Sequence, residues 1–349
     1  MSESEFQHSF QAVSAGQSLS QQQMRGAVNW FMTGAADADQ VGRFLLALRE
    51  KGETAEELAG AAQAMREHMV PIRCQASHVI DTCGTGGIGS EIFNVSTTAA
   101  IVAAAVGRSL DEPRRFAVAK HGNRSITSRS GSADVLVKLG VDIEAPVAVV
   151  ERCLDDVGIG FCFAPAMHPA MKHVAPIRKR LGVGTIFNLL GPLCNPASAA
   201  YQLVGVGRAE YQHRIAEALQ HLGTRRAAVV CGTDGVGEVT LAASTRVVLV
   251  TAGGCRETEW APEDFGLTRC SLDSLQIQDA SASAAMVLRV LEGHRDAARS
   301  IVILNAAAAL WVVEAATDLK QAVQLAESAI DSGDARKLLD RWIALSQSR

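Results

Sequence analysis

Apolar residues recur at helical spacing through the first 70 residues of the chain. Three segments carry them three or four positions apart: Met24–Phe31, Val41–Leu48 and Leu58–Met69. Ser20 with Gln23 and Thr54 with Glu57 have the spacing of a capping box, in which each side chain accepts a main-chain N–H near the other. No strand pattern occurs here. We therefore predict a small all-helical N-terminal domain over residues 1–76.

From about residue 76 the pattern changes to short β-branched segments that alternate with alanine-rich helical segments. The predicted strands include residues 79–80, 116–119, 203–206, 227–230 and 247–250, and the predicted helices cover 96–107, 131–139 and 209–221. Such alternation is typical of an α/β domain with a largely parallel sheet. The C-terminal part returns to helical patterns. We predict that residues 77–349 form a larger α/β domain around a mainly parallel central sheet.

A glycine-rich segment, Asp81–Ser90, follows the first predicted strand and precedes a predicted helix. Four of the six residues from Gly84 to Gly89 are glycine. Glycine permits positive φ angles and close backbone approach, and a helix N-terminus presents free N–H groups to an anion. An ordinary strand-to-helix turn would need fewer glycines, so a phosphate site is the favoured interpretation.

Two further polar segments follow the next predicted strand. Lys120–Ser125 comes directly after residues 116–119, and its two cations, histidine and asparagine could form either an anion pocket or a surface loop. Ser128–Asp134 opens the following helix with serines and a glycine, which suits either a phosphate or simple N-capping. Because ligands of parallel sheets bind at the carboxyl ends of strands, the combination favours a polyphosphate ligand.

Two other clusters are ambiguous from the residues alone. Phe163 and Met167 could line a flat apolar pocket while Arg178 pairs with a carboxylate, but a core phenylalanine and a solvated arginine are the more typical outcome. Glu238 or Asp234 could hold Mg²⁺, since that ion prefers hard oxygen ligands. A glycine-rich turn with exposed acids explains the second cluster more simply.

The overall composition restricts the class of protein. The chain has 349 residues, of which 48% are hydrophobic and 20% are charged, as expected for a folded protein with a sizeable core. Its formal net charge of −4 gives no support for a nucleic-acid or anionic-membrane partner. The eight cysteines show no C-x-x-C pair and no zinc spacing, which indicates reduced thiols in the cytoplasm. No secretory signal is visible, and the longest apolar segment is too short to span a bilayer.

Five motifs occur together in one order along the chain: Asp81–Gly87, Phe93–Thr97, Lys120–Arg124, Ser130–Asp134 and Gly191–Pro196. Together they resemble the motifs of the anthranilate phosphoribosyltransferase family, and the likeness runs from about residue 15 to the C-terminal helices. The first three resemble, more loosely, those of pyrimidine nucleoside phosphorylases. The segment from residue 168 to residue 196 favours the transferase.

The resemblance implies transfer of the phosphoribosyl group of phosphoribosyl pyrophosphate (PRPP) to the amine of anthranilate, with release of pyrophosphate, in tryptophan biosynthesis. It also implies a homodimer, an active site in the cleft between the domains, part of residues 169–195 packed on the helical domain, and Mg²⁺ as cofactor. No covalent nucleophile is expected. The implied PRPP-binding residues are Gly84, Thr85, Gly86, Gly87, Asn94, Ser96, Thr97, Lys120 and Ser132. The implied anthranilate-binding residues are Gly84, His121, Asn123, Phe163, His168 and Arg178, and the implied metal ligands are Ser96 and Glu238.

Four positions differ from the pattern that the family leads us to expect: Ile88, Glu91, Cys231 and Gly237. Ile88 and Gly237 stand where the family usually carries acids associated with metal handling, so we expect one fewer metal ion or weaker binding of Mg²⁺–PRPP. The alternative function is a related phosphoribosyltransferase with a different aromatic acceptor or weakened Mg²⁺-dependent activity. A nucleoside phosphorylase and a non-catalytic ligand-binding or nucleic-acid-binding paralogue are further alternatives.

Overall fold

The computed structural model describes residues 2–86, 92–125 and 129–348 of the chain. The α-helices in this part of the chain are α1 (Glu3–Ser14), α2 (Gln21–Met32), α3 (Ala38–Lys51), α4 (Ala55–Glu67), α5 (Val95–Ser109), α6 (Ser132–Leu139), α7 (Val147–Arg152), α8 (Ala164–Met167), α9 (Ala175–Leu181), α10 (Gln212–His221), α11 (Ala280–Leu291), α12 (Ala297–Val312), α13 (Leu319–Asp331) and α14 (Asp334–Ser346). The strands are β1 (His78–Asp81), β2 (Phe116–Gly122), β3 (Ile159–Phe163), β4 (Tyr201–Gly205), β5 (Arg226–Gly232), β6 (Thr245–Thr251) and β7 (Gly254–Trp260). Across these described residues, every helix is too short or too polar to cross a membrane.

The N-terminal helices begin where the sequence supplies caps. Ser20 and Thr54 complete the predicted capping boxes of α2 and α4. Helix α1 was not predicted, because its polar sequence buries only three side chains. One of them, Phe6, packs between Phe31 and Phe44 with ring-centroid distances of 5.6 and 5.5 Å. Helix α1 therefore closes an aromatic core between α2 and α3.

Seven strands form one sheet in the order β3-β2-β1-β4-β5-β6-β7. The pairs from β3 to β5 are parallel, and β6 and β7 continue the sheet antiparallel. This arrangement, together with the N-terminal helices, confirms the predicted fold class. Strands β3 and β7 were missed. Strand β7 lies at the sheet edge and carries charged side chains such as Arg256 and Glu257, so it lacks the apolar pattern of a buried strand.

Two hydrophobic cores pack on opposite faces of the sheet. Neighbouring residues of β5 alternate between them: Val230 belongs to the core formed with α5 and α12, whereas Val229 belongs to the core formed with α10 and the N-terminal helices. Residues of the segment 174–194, including Ile177 and Phe187, also belong to the second core. This segment therefore packs with the N-terminal helices, whereas the residues before and after it lead to strands β3 and β4.

Candidate active site

Three glycines allow segments to cross tightly where β1 and β4 end. The Thr85 N–H donates to the Gly205 carbonyl oxygen at 3.0 Å. A Cβ on Gly84 would lie 2.8 Å from that oxygen, and a Cβ on Gly205 would overlap the carbonyl oxygen of Gly237. The segment after β1, the end of β4 and the loop after β5 are therefore in direct contact. Gly205 was not singled out from the sequence, because one glycine at a strand end carries little signal.

Lys120 places a buried ammonium group beside this crossing. Its side chain, near the end of β2, is only 2% exposed. Its Nζ donates to the Thr82 carbonyl oxygen at 3.0 Å, and to the Thr82 and Ser96 hydroxyls at 3.4 Å each. Within residues 2–86, 92–125 and 129–348, no carboxylate oxygen lies within ion-pair distance of it. Because a buried charge held only by neutral acceptors is costly, this site favours an anionic ligand.

Glu238 faces the same place from the loop between β5 and β6. A small polar cavity is lined by Thr82, Gly84, Ser96, Ala99, Leu203, Gly205, Gly237, Glu238 and Asn305. Burial raises the pKa of Glu238 to about 7, although the charge of Lys120 opposes the shift. A bound cation would stabilise the ionised form of the carboxylate in this position. The carboxylate of Glu238 and the hydroxyl of Ser96 are hard oxygen donors of the kind that suits Mg²⁺.

The amide of Asn94, just before α5, is held in one orientation by two serines. Its Oδ1 accepts from the hydroxyls of Ser130 and Ser283, both at 2.8 Å. The main-chain N–H of Asn94 donates to the Ser283 hydroxyl at 3.0 Å. Among the residues that the structure describes, the Nδ2 group makes one long contact, of 3.5 Å with the Ser130 carbonyl, so it can donate to an anion. Ser283 could not be found from local motifs, because it lies 189 positions along the chain.

The other predicted PRPP-binding residues differ in how well the structure places them. Thr97 is fully buried, its hydroxyl has no hydrogen-bond partner among the residues that the structure describes, and it is not one of the described residues that line the cavity. Gly86 has a φ of 63°, which glycine tolerates. Ser132 begins α6, and its hydroxyl contacts the Asn123 carbonyl at 3.4 Å. Gly87, like Ile88 and Glu91, lies outside the described residues.

Asp81 joins the ends of β1 and β2 to a loop near residue 195. Its carboxylate accepts hydrogen bonds from the main-chain N–H of His121 at 3.1 Å and from the side-chain amide of Asn195 at 2.8 Å. Burial raises the pKa of Asp81, and the nearby His121 and Lys120 oppose the shift. Asp81, Cys83 and His121 also place possible metal-ligand atoms within 4.8 Å of one another. Because burial raises the pKa of the Cys83 thiol and Asp81 already serves these donors, we interpret the group as a structural network.

His121 and His168 form a buried pair on the opposite side of β2 from Lys120, since neighbouring strand residues point to opposite faces. The two Nε2 atoms are 3.2 Å apart, and His121 Nδ1 lies 2.8 Å from the Gly191 carbonyl oxygen. That oxygen can only accept, so Nδ1 carries the proton of a neutral His121 and His168 donates through Nε2. His168 Nδ1 is buried and makes no hydrogen bond with the described residues, although the Cys194 main chain lies close enough to act on the pKa of this ring.

The histidine pair predicts acid-sensitive stability. Burial and the neighbouring His121 lower the pKa of His168 to about 3, opposed by the Cys194 main chain. Between about pH 6.5 and 3 the unfolded state binds more protons than the folded state, so stability falls as the pH falls through this range. We expect His168→Gln to flatten the slope of unfolding free energy against pH by up to about 1.4 kcal/mol per pH unit. Urea unfolding at pH 4.5 to 7.5 measures this, and an unchanged slope would contradict it.

The remaining predicted anthranilate-binding residues divide between the sheet and the segment packed on the helical domain. Phe163 ends β3 and is 6% exposed, and the Arg124 guanidinium lies 5.8 Å from its ring centroid. Asn123 is exposed, and its Oδ1 accepts the Arg124 N–H at 2.7 Å. Arg178 lies on α9, where burial lowers its pKa. It donates to Asn188 Oδ1 at 3.2 Å.

Family models and individual relatives match nearly the whole chain. The helical bundle domain of a glycosyl transferase family matches residues 7–69, and the α/β domain of that family matches residues 76–336. The anthranilate phosphoribosyltransferase of Moorella thermoacetica is 46% identical over 336 residues, covering 96% of this chain and 97% of the relative. That of Thioalkalivibrio sulfidiphilus is 42% identical over 344 residues, covering 99% of each chain.

Solved structures give the same result. The anthranilate phosphoribosyltransferase of Thermus thermophilus superposes with a TM-score of 0.89 at 39% identity, covering 97% of this chain and 99% of the other. The Saccharomyces cerevisiae enzyme in complex with PRPP and Mg superposes with a TM-score of 0.88 at 27% identity, covering 100% of this chain and 99% of the other. Motifs, fold and near-complete coverage agree, and the chain belongs to the anthranilate phosphoribosyltransferase family.

Proposed function

We propose that this protein transfers the phosphoribosyl group of PRPP to the amine of anthranilate and releases pyrophosphate. The observation that carries the proposal is the buried ammonium of Lys120, whose acceptors among the described residues are all neutral and which lies beside Ser96. Such a group suits a strongly charged leaving group. Relatives of 42% to 46% identity that bear the name of this activity support the substrates.

The reaction needs electrostatic stabilisation more than a nucleophile. Displacement at the anomeric carbon passes through an oxocarbenium-like transition state, as in glycoside chemistry. Negative charge grows on the departing pyrophosphate, and Lys120 and the free N–H groups at the start of α5 would stabilise it there. The Asn94 amide, fixed by Ser283, would add a donor that needs no reorganisation during the reaction.

Mg²⁺ fits the donors on the phosphate side of this site. Glu238 and Ser96 would hold it, and when bound it would neutralise charge on the pyrophosphate. Gly237 has no side chain that could bind a metal ion. We therefore propose that the protein binds a single Mg²⁺ ion with its substrate, or binds Mg²⁺ weakly. Ile88, the second basis of that expectation, lies outside the described residues.

The acceptor would bind on the other side of β2. Arg178 would pair with the anthranilate carboxylate, since a guanidinium matches a carboxylate in both charge and geometry. His121 and His168, whose Nε2 atoms are 3.2 Å apart, would line the path of the acceptor on this side. Together these groups would hold the amine in line with the anomeric carbon, which lowers the entropic part of the barrier.

We also propose that the protein is a cytoplasmic homodimer. Leu46 of α3 and Val183, which comes just after α9, are large apolar side chains that are 42% and 40% exposed, and α3 packs on α9. A second copy that covered this face would remove both side chains from water. The eight free cysteines support a reducing compartment.

The proposal is tested by following the loss of anthranilate fluorescence with PRPP, at Mg²⁺ concentrations from micromolar to millimolar. We expect turnover that requires both PRPP and Mg²⁺, with a dependence on one ion. A panel of other aminobenzoates tests the acceptor. If a different aminobenzoate is consumed and anthranilate is not, that compound is the acceptor instead of anthranilate. If folded protein consumes no acceptor at all, the proposed reaction is wrong.

A further inference from the structure

Asn305 is a polar side chain in the middle of the apolar helix α12. It is completely buried, and its neighbours in the helix are leucine and alanine. Its Oδ1 accepts the Val239 N–H at 3.0 Å, and its Nδ2 donates to the Val239 carbonyl at 2.8 Å and to the Ile301 carbonyl at 2.9 Å. The amide therefore pairs with both main-chain groups of the residue that follows Glu238.

The loop that carries Glu238 is also held by Thr240, whose N–H donates to the Thr245 hydroxyl at 3.1 Å and whose hydroxyl donates to the Asp234 carboxylate at 2.6 Å. Residues 233–244 join β5 to β6 without a regular element, so their main-chain groups need partners from outside the sheet. On one side the carbonyl of Gly237 lies against Gly205. On the other side Asn305 holds Val239. Glu238 is thus between two contacts, one made by the end of β4 and one by α12.

An apolar residue would be the simpler occupant of this helix position, because an amide gains from burial only when its hydrogen bonds are made. Asn305 makes two of its three hydrogen bonds with the Glu238 loop and the third within α12, and it also lines the cavity that contains Ser96 and Glu238. We propose that Asn305 is a positioning residue that fixes the Glu238 carboxylate toward the phosphate side of the site. The expected effect of Asn305 on the Mg²⁺ dependence rests on the proposed function, whereas its expected effect on the Glu238 loop does not.

Asn305→Asp tests the inference with little change in volume. The ionised aspartate can still accept the Val239 N–H but cannot donate to the Val239 carbonyl. We expect amide exchange in a peptide covering residues 236–241 to become at least tenfold faster, as seen by mass spectrometry, in the protein without ligands. We also expect the half-saturating Mg²⁺ concentration to rise at least tenfold, while KM for anthranilate changes less than twofold. Asn305→Ser is a second variant should the aspartate prevent folding.

Gln212 of α10 provides a matched control. It is buried, and its Nε2 donates to the main-chain carbonyls of Val229 and Arg246 at 2.7 and 2.8 Å, away from the Glu238 loop. We expect Gln212→Leu to lower Tm without changing the Mg²⁺ dependence. In a Glu238→Gln background, Asn305→Asp should have no further effect on that dependence.

The outcomes separate the inference from the proposed function. If the wild type consumes no anthranilate, the proposed function fails, and the exchange measurement alone still decides whether Asn305 fixes the loop. Unchanged exchange at residues 236–241 would overturn the inference whatever the activity. An active Asn305→Asp variant with lower Tm but wild-type Mg²⁺ dependence would overturn it as well, as would effects of Asn305→Asp and Glu238→Gln that simply add.

Discussion

Replacing Lys120 with methionine is expected to lower kcat/KM for PRPP by about 100- to 1,000-fold, the range seen when a preorganised donor to a developing anion is lost. The expected effect on stability is small, within about 1 kcal/mol. The lost hydrogen bonds to Thr82 and Ser96 are offset because the change removes a buried charge that has no carboxylate within ion-pair distance in the described part of the chain. Steady-state kinetics and urea unfolding on the same preparation measure the two effects.

Lys51 is the matched control, because it is also a buried lysine. Its Nζ pairs with Glu57 at 2.9 Å, and their side chains are 6% and 0% exposed. Methionine at this position leaves the Glu57 carboxylate buried without its cation, which costs about 3 kcal/mol or more. We expect Lys51→Met to lose stability while the folded fraction keeps its activity. The reverse pattern, with Lys120→Met unstable but active, would contradict the assignment of the phosphate site.

Replacing Arg178 with alanine is expected to raise KM for anthranilate about 30-fold or more, because a hydrogen bond to a charged group contributes about 2 kcal/mol. KM for PRPP should change less than twofold, since the phosphate side of the site lies on the opposite face of β2. Aniline, which has no carboxylate, should react equally slowly with the wild type and the variant. Initial rates with each acceptor measure this selectivity.

Arg180, two positions along in α9, is the control for this variant. Its guanidinium pairs with Asp39 at 2.8 Å, and the side chains are 57% and 74% exposed, so the ion pair contributes little. We expect Arg180→Ala to leave both KM values unchanged. An equal rise in KM for anthranilate in both variants would indicate a general effect of α9, and an unchanged value in Arg178→Ala would place the acceptor carboxylate elsewhere.

Much of the fold follows from local patterns. Capping boxes marked the starts of α2 and α4, and β-branched segments marked β1, β2, β4, β5 and β6. Helix α1 and strands β3 and β7 were not predicted. Helix α1 is stable through its contact with other aromatic residues rather than through its own pattern. Strand β7 pairs at the polar edge of the sheet, where hydrogen bonds rather than burial hold it.

The site was predictable where its residues follow one another in the chain. The glycine segment and Lys120 lie at the ends of the neighbouring strands β1 and β2, so parallel topology alone brings them together. Ser283 and Asn305 were not predictable, because each is a single residue in an apolar helix, 189 and 66 positions from its partner. Their roles depend on how α11 and α12 pack against the sheet, which no local spacing encodes.

In the proposed reaction, this site removes pyrophosphate from PRPP while it presents anthranilate to the same carbon. The most direct test counts both products: pyrophosphate released and anthranilate consumed, in one reaction with Mg²⁺. We predict a ratio of one to one, with no release when anthranilate is omitted and almost none in Lys120→Met. Anthranilate loss without pyrophosphate, or no pyrophosphate release by folded wild-type protein supplied with both substrates, would contradict the proposed reaction.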